Sequence, residues 1–199
     1  PVALIPDRDI PPPEAKDLVG DRKTENELTQ DEIAARLKTL RRDVGDPVDA
    51  FIADSWTLEF DLALRPELAE SVHQAVQLAK TSSRKPEWLA KIVKKASETY
   101  AGWKEAGHSA TEIAVKIYQP VHDKEASKAE VAEQLAAILR KRADTPEQMR
   151  DWLPPYLVRA IDYVTGGYLP GAPATAPEPD AEDEEIVAAG IEGAAAVEG

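Results

Sequence analysis

PVALIPDRDIPP, residues 1–12, places a short apolar run directly before two aspartates. Residues 2–5 have the length and composition of a buried strand. Further along, Thr29 and Glu32 form a capping-box pattern that starts a helix. A second apolar segment, residues 47–53, predicts another strand. The order strand, helix, strand is typical of a parallel sheet, in which functional groups collect at the carboxyl ends of the strands.

The rest of the chain has helical rather than strand periodicity. The segment between the first strand and the first helix, residues 10–28, is predicted to be a loop because it combines prolines, charges and a glycine. Later helices are predicted over 57–64, 66–81, 86–107, 109–118, 123–142 and 154–165. Four aromatic residues at helical spacing are expected in the core: Trp88, Tyr100, Trp103 and Tyr118. The predicted class is therefore α/β, mostly α by residue count.

Composition and charge limit the classes of function. The chain of 199 residues has no cysteine, which fits a reducing cytoplasm and excludes thiolate metal sites. It has no apolar run long enough to span a membrane. Eight acidic residues and no lysine or arginine lie in 167–199, which leaves only −5 of the net charge of −13 for residues 1–166. The tail is expected to be disordered, whereas the mildly acidic body carries local basic clusters.

The two aspartates after the first strand are candidate metal ligands. In extended backbone, residues i and i+2 point the same way, so Asp7 and Asp9 are expected to face one site. Two carboxylates at that distance repel each other unless a cation lies between them, and Mg²⁺ prefers such oxygen ligands. The alternative is a solvated loop in which Asp7 caps a turn and Arg8 pairs locally.

More oxygen ligands follow the second predicted strand. Ser55 or Thr57 is placed to cap the next helix, and Glu59 and Asp61 lie in its first turns. A glutamate near a helix N-terminus is also favourable electrostatically without any metal. The acids at two strand ends at once nevertheless favour a shared cation site. The histidines, His73, His108 and His122, show no zinc-binding spacing.

The stretch TLEFDLAL, residues 57–64, together with IPDRDIPP, residues 5–12, resembles the Toprim (topoisomerase–primase) region of the OLD (overcoming lysogenization defect) family of ATP-dependent endonucleases. Three further stretches are similar to that family: LAESVHQAVQLA, 68–79; SKAEVAEQLA, 127–136; and LPPYLVRAIDYV, 153–164. The resemblance covers residues 1–166. It implies a partial Toprim core, a Rossmann-like parallel sheet, with a large helical insertion.

The resemblance divides the chain into four segments. They are the Toprim core part with the DxD and TLE motifs, the helical insertion, the closing helices and the acidic tail, at residues 1–65, 66–122, 123–166 and 167–199. Because the chain begins at the DxD strand, the resemblance places the first Toprim glutamate and the ATPase upstream. The expected partners are DNA, that ATPase domain and a second copy of the chain, and a membrane is not expected.

The resemblance also implies the site residues. Asp7, Asp9 and Glu59 match the metal ligands, with Ser55 and Asp61 as further oxygen donors. Lys128 matches the lysine of a late helix, and the residues assigned to catalysis are Lys128, Glu59 and Asp7. The implied chemistry is phosphodiester hydrolysis of DNA with Mg²⁺ or Mn²⁺, through two ions that activate water and stabilise the leaving oxygen. ATP would act only through the upstream domain, since this chain has no P-loop motif.

Two other functions compete with this interpretation. A strand followed by DxD also begins haloacid-dehalogenase-like phosphatases, but here Ile10 and three prolines follow, and no late acidic motif matches. A non-catalytic helical interaction module with an acidic tail explains the net charge. It does not explain why acids follow both predicted strands.

Overall fold

The computed structural model describes residues 1–41, 44–45, 47–81 and 85–167. Two short strands, β1 (Val2–Leu4) and β2 (Val48–Ala50), form a parallel pair in which Val2 lies opposite Val48. The rest of the described chain is mostly helical, and the predicted mixed α/β class is confirmed. Most of the predicted acidic tail, residues 168–199, lies outside the described residues.

Nine α-helices are assigned within the described residues. They are α1 (Lys16–Val19), α2 (Gln30–Leu40), α3 (Leu58–Leu64), α4 (Ala69–Ala79), α5 (Pro86–Glu105), α6 (Ala110–His122), α7 (Lys128–Arg142), α8 (Pro146–Trp152) and α9 (Pro155–Thr165). The predicted loop over residues 10–28 is wrong in part, because it contains α1 and two 3₁₀ turns, Pro13–Ala15 and Glu25–Glu27. Helix α8 was not predicted, and α7 begins later than expected, at Lys128.

Local capping explains where several helices begin. At α2, the Glu32 amide donates to Thr29 Oγ1, and the Glu32 carboxylate accepts from the Thr29 amide at 2.7 Å. Helix α3 begins after Thr57, whose hydroxyl accepts from the Phe60 amide, and α7 begins after Ser127. Side-chain oxygens at these positions satisfy amides that the first helical turn leaves free. The starts of α2, α3 and α7 are thus set by residues within four positions of them.

The hydrophobic core lies between the helices rather than on the sheet. Helix α4 packs against α3, α5, α6 and α7, and most of its side chains are buried. The largest fully buried side chains include Trp56, Phe60, Ile117 and Tyr156. This helical core fixes α3 and α7 relative to each other, and those two helices carry most of the candidate site.

The first strand is not buried as predicted. The side chains of Val2, Leu4 and Ile5 are 50%, 41% and 43% exposed, although helix α9 packs against β1. A sheet of two short strands offers too little surface to cover both faces of an apolar strand. The prediction for the aromatic residues is also wrong at one position, because Trp88 is 55% exposed while Tyr118 is buried and Tyr100 and Trp103 are partly buried.

Candidate active site

The parallel strands bring their two following loops side by side. Beyond the strands, the Phe51 amide donates to the Leu4 carbonyl at 2.8 Å and the Ala53 amide to the Pro6 carbonyl at 3.1 Å. Asp7 therefore leaves the sheet beside the loop that leads into α3. This is the neighbouring position that a parallel pair predicts for residues at the carboxyl ends of its strands.

Asp7 is held against the start of α3. Its Oδ1 accepts a hydrogen bond from the Leu58 amide at 3.0 Å. Leu58 is the first residue of α3, so the carboxylate satisfies one of the free amides there. The bond fixes the orientation of the carboxylate and leaves its other oxygen, Oδ2, to face a different partner.

That partner is Lys128, the first residue of α7. Its Nζ lies 3.6 Å from Asp7 Oδ2 and 3.0 Å from Glu59 Oε2. The three side chains come from the loop after β1, the first turn of α3 and the start of α7. We refer to them as the Asp7–Glu59–Lys128 cluster. Glu59 is the most buried member, with 16% of its side chain exposed, against 37% for Asp7 and 54% for Lys128.

The cluster keeps the lysine charged. Burial alone would lower the pKa of Lys128, but the hydrogen bond and charge of Glu59, together with the charge of Asp7, raise it above its ordinary value. Within the described chain, Glu59 Oε2 is buried and accepts no hydrogen bond of regular geometry, so its 3.0 Å contact with the Lys128 ammonium is an ion pair. Tyr118 lies near the same charges, and burial raises the pKa of its hydroxyl. The spacing of Tyr118 in the sequence indicated a core position and gave no sign that it neighbours the site.

Asp9 does not join the cluster. Its Oδ1 accepts from Arg22 Nη2 at 2.8 Å, and its Oδ2 accepts from Arg36 Nη2 at 3.0 Å. Asp9 has φ +58°, in the left-handed region, so the extended backbone that would align it with Asp7 is absent. The expectation that both aspartates face one site is corrected on this point, because Asp9 ties its loop to α2.

Asp61 and Ser55 form a structural contact beside the cluster. The buried Asp61 carboxylate accepts from the backbone amides of Ser55 at 3.2 Å and Trp56 at 3.3 Å. Burial raises the pKa of Asp61 above its ordinary value despite these hydrogen bonds. Ser55 contributes its amide, not its hydroxyl, to this contact. Both residues therefore stabilise the loop before α3. Their contacts in the described residues are separate from those of Lys128.

The donor set determines which metal the cluster suits. No group of three or more histidine, aspartate or glutamate side chains in the described residues is arranged to hold a metal ion. Asp7 and Glu59 are two carboxylates that meet at one cation, here the Lys128 ammonium. Mg²⁺ is commonly held by one or two carboxylates together with waters and substrate phosphates. The pair offers two carboxylates to one cation, and it does not provide ligands for two.

Sequence analysis missed the arginines that bind Asp9 because Arg22 and Arg36 lie 13 and 27 residues away along the chain. The alternative solvated loop had Arg8 pairing locally, but Arg8 donates to the Asp54 carbonyl and to Glu25. No short motif marks these partners. Arg36 reaches Asp9 from α2, whereas Arg22 lies in the segment after α1, so tertiary structure brings these partners together.

Comparisons with protein families, with curated proteins and with solved structures gave no match for this chain. Within the described residues, no helix combines the length and the apolar character that a membrane span requires. The site therefore has to be interpreted from its own geometry.

Proposed function

We propose that this chain is the nuclease part of an OLD-type ATPase–nuclease and hydrolyses phosphodiester bonds in DNA with Mg²⁺ or Mn²⁺. The observation that carries the proposal is the meeting of Asp7, Glu59 and Lys128, which belong to three separate segments. Each of the three matches a functional position of the OLD resemblance. The proposal extends to a Toprim core, a cytoplasmic location, an upstream ATPase domain that uses ATP, and a homodimer.

Asp7 and Glu59 would hold one divalent ion through their carboxylates. When bound there, the ion would supply an activated water and neutralise charge on the scissile phosphate. The Leu58 amide keeps Asp7 Oδ1 occupied, so Oδ2 stays directed at the cluster. The low exposure of Glu59 limits the number of waters that compete for its carboxylate.

Lys128 would act as the stabiliser of phosphate charge. Its side chain is half exposed, so the ammonium can leave the two carboxylates and reach a phosphate oxygen without moving α7. Its raised pKa keeps it protonated, which a positively charged stabiliser requires. In the substrate-free state the same ammonium neutralises Asp7 and Glu59. It thereby reduces the repulsion that two bare carboxylates would experience.

A second ion would need further carboxylates. Asp9 is engaged by two arginines and Asp61 by backbone amides, so neither is free to provide them. The OLD resemblance implies an additional glutamate upstream, and that residue would complete a two-ion site. A haloacid-dehalogenase-like mechanism fits less well, because Asp9 would then have to exchange protons while held by Arg22 and Arg36.

A non-catalytic interaction module is the competing function, and one observation favours it. The Lys128 ammonium already neutralises both carboxylates, so the cluster is stable without a metal. In that case the three residues would serve only to join α3, α7 and the loop after β1. Metal binding distinguishes the two functions even if the isolated chain has no nuclease activity.

The test is a titration with Mn²⁺ followed by ¹H–¹⁵N NMR, in which the paramagnetic ion broadens signals of nearby amides. The nuclease proposal expects selective broadening at Leu58 and Lys128, lost in Asp7→Asn and in Glu59→Gln. Glu133→Gln is the matched control. Glu133 is exposed on α7, so this substitution removes one negative charge outside the Asp7–Glu59–Lys128 cluster. Broadening that is unchanged by Asp7→Asn and Glu59→Gln would leave the interaction module as the better explanation. Nicking of supercoiled plasmid, assayed in parallel, tests the activity itself.

A further inference from the structure

A cavity of about 350 Å³ lies among α4, α5 and α6 and shares no lining residue with the Asp7–Glu59–Lys128 cluster. Its lining combines aromatic rings, hydrogen-bonding groups and cations: His73, Gln77, Lys95, Thr99, Trp103 and Lys116. Binding sites for small molecules typically join an apolar wall to a few polar groups in a volume of this order. The cavity has these components.

His73 provides an unused hydrogen-bonding group in the wall. The residue is only 3% exposed, and its Nδ1 is buried with no hydrogen-bond partner within the described part of the chain. Buried polar atoms are paired in most proteins, so an unpaired one beside a cavity calls for a ligand or an ordered water. Burial lowers the pKa of His73 to about 4, so the ring is neutral near pH 7.

An aromatic surface accompanies this nitrogen. The centroids of the His73 and Trp103 rings are 4.8 Å apart, with their planes tilted by 58°. Trp103 is only partly buried, which leaves part of its indole available to a bound molecule. A flat ring in the cavity would contact both side chains, and aromatic contacts of this kind add to the free energy of burial.

Two lysines give the cavity positive charge. Neither Lys95 nor Lys116 forms an ion pair with any carboxylate in the described residues, although Lys116 also lines a second cavity that contains Glu14, Asp17, Glu112 and Asp123. The other charges that act on His73 are those of Glu70 and Lys80, and Lys80 is paired with Glu125 at 2.7 Å. In a chain with a net charge of −13, two unpaired ammonium groups at one cavity favour an anion.

We propose that this cavity binds a small aromatic carboxylate, with its ring against His73 and Trp103 and its carboxylate toward Lys95 and Lys116. Gln77 and Thr99 supply further hydrogen bonds to the carboxylate. At about 350 Å³ the cavity is near the lower limit for ligand sites, which favours a molecule of one or two fused rings. The site is independent of the proposed nuclease chemistry.

The experiment is a titration with 2-naphthoate, using its uncharged amide, 2-naphthamide, as the matched probe. Binding is followed by the indole NH signal of Trp103 in ¹H–¹⁵N NMR spectra, assigned with Trp103→Phe. We expect saturable shifts with 2-naphthoate and affinity weaker by about tenfold for 2-naphthamide. Lys95→Met and Lys116→Met are each expected to weaken the affinity for 2-naphthoate by about five- to tenfold.

Lys141→Met is the control, because it removes one charge from an exposed position on α7 that does not line the cavity. The affinity of the Lys141→Met variant for 2-naphthoate should equal that of the unmodified chain. The proposal is overturned if 2-naphthoate fails to saturate by about 10 mM, a weak limit for a specific site. It is also overturned if the amide binds equally well, or if Lys141→Met weakens binding as much as Lys95→Met.

Discussion

The Lys128 ammonium lies 3.0 Å from Glu59 Oε2 and joins the start of α7 to the first turn of α3. The same ammonium also faces Asp7 Oδ2 at 3.6 Å, so a single cation neutralises two carboxylates. Removal of the lysine is therefore expected to affect metal binding and nuclease activity in opposite directions.

Lys128→Met is expected to abolish plasmid nicking, or to reduce it by about 100-fold or more, while Mn²⁺ binding is kept or strengthened. The reason is that the ammonium both stabilises phosphate charge and competes with the metal for Asp7 and Glu59. Stability should fall by about 2 kcal/mol, because Lys128 is half exposed but its loss leaves the largely buried Glu59 carboxylate without its counter-charge. Urea unfolding, Mn²⁺ titration and nicking measure the three quantities. Weaker Mn²⁺ binding in Lys128→Met would contradict this role, and Lys141→Met controls for the change in net charge.

Asp9→Asn is expected to lower the free energy of unfolding by about 1 kcal/mol without changing Mn²⁺ affinity. The substitution weakens the exposed ion pairs to Arg22 and Arg36, and asparagine still tolerates the left-handed backbone. Asp9→Ala should lower the free energy of unfolding by about 1 kcal/mol more than Asp9→Asn does, because alanine tolerates the left-handed backbone poorly. Urea unfolding and Mn²⁺ titration are the measurements. A loss of Mn²⁺ affinity equal to that of Asp7→Asn would instead restore Asp9 as a metal ligand.

The stability conferred by Asp61 is expected to depend on pH. Burial raises its pKa in the folded state, so the folded protein holds this proton more tightly than the unfolded chain does. The contribution of this proton to the free energy of unfolding is fully present below the ordinary pKa of an aspartate. It is lost as the pH rises through the raised pKa of Asp61 in the folded state.

Asp61→Asn removes this titration but keeps an oxygen for the Ser55 and Trp56 amides. The variant should therefore gain stability relative to the unmodified chain as the pH rises above the ordinary pKa of an aspartate, as measured by urea unfolding at each pH. A difference that stays constant over this range would show that Asp61 does not titrate in this way. Asp31→Asn, on the exposed face of α2, is the control.

Thr57→Ala is expected to destabilise the chain by about 1 kcal/mol and to weaken Mn²⁺ binding. Thr57 Oγ1 caps α3 by accepting from the Phe60 amide, and Glu59 lies in the turn that this cap fixes. Thr57→Ser keeps the hydroxyl and should keep both properties. The measurements are thermal unfolding and Mn²⁺ titration. Equal Mn²⁺ affinity in the alanine and serine variants would show that the cap does not position Glu59.

Local sequence signals predicted the parts of the fold that local interactions determine. The capping box of Thr29 and Glu32 predicted the start of α2, and Thr57 was one of two caps proposed for α3. The order of strand, helix and strand predicted the parallel pairing of β1 and β2. Helix α8 was missed because Met149 and Trp152 are the two large apolar side chains in its sequence PEQMRDW, too few to show a periodic apolar face.

The candidate site was predictable only in part. The sequence named Asp7, Glu59 and Lys128, and the fold brings these three together. It also named Asp9, Asp61 and Ser55, which the fold uses for ion pairs and backbone contacts instead. An i, i+2 spacing predicts a shared face only where the backbone is extended, and Asp9 has a positive φ that the spacing does not reveal.

By itself, the sequence determined the longer helices, several of their caps and the strand order, because apolar periodicity and capping depend on residues close together in the chain. Only the tertiary structure decided which carboxylates share the Lys128 ammonium, which bind arginines, and where His73 meets a cavity. Those outcomes depend on how α2, α4 and α7 pack. Contacts between residues tens of positions apart are set by that packing of buried surfaces, which no local pattern encodes.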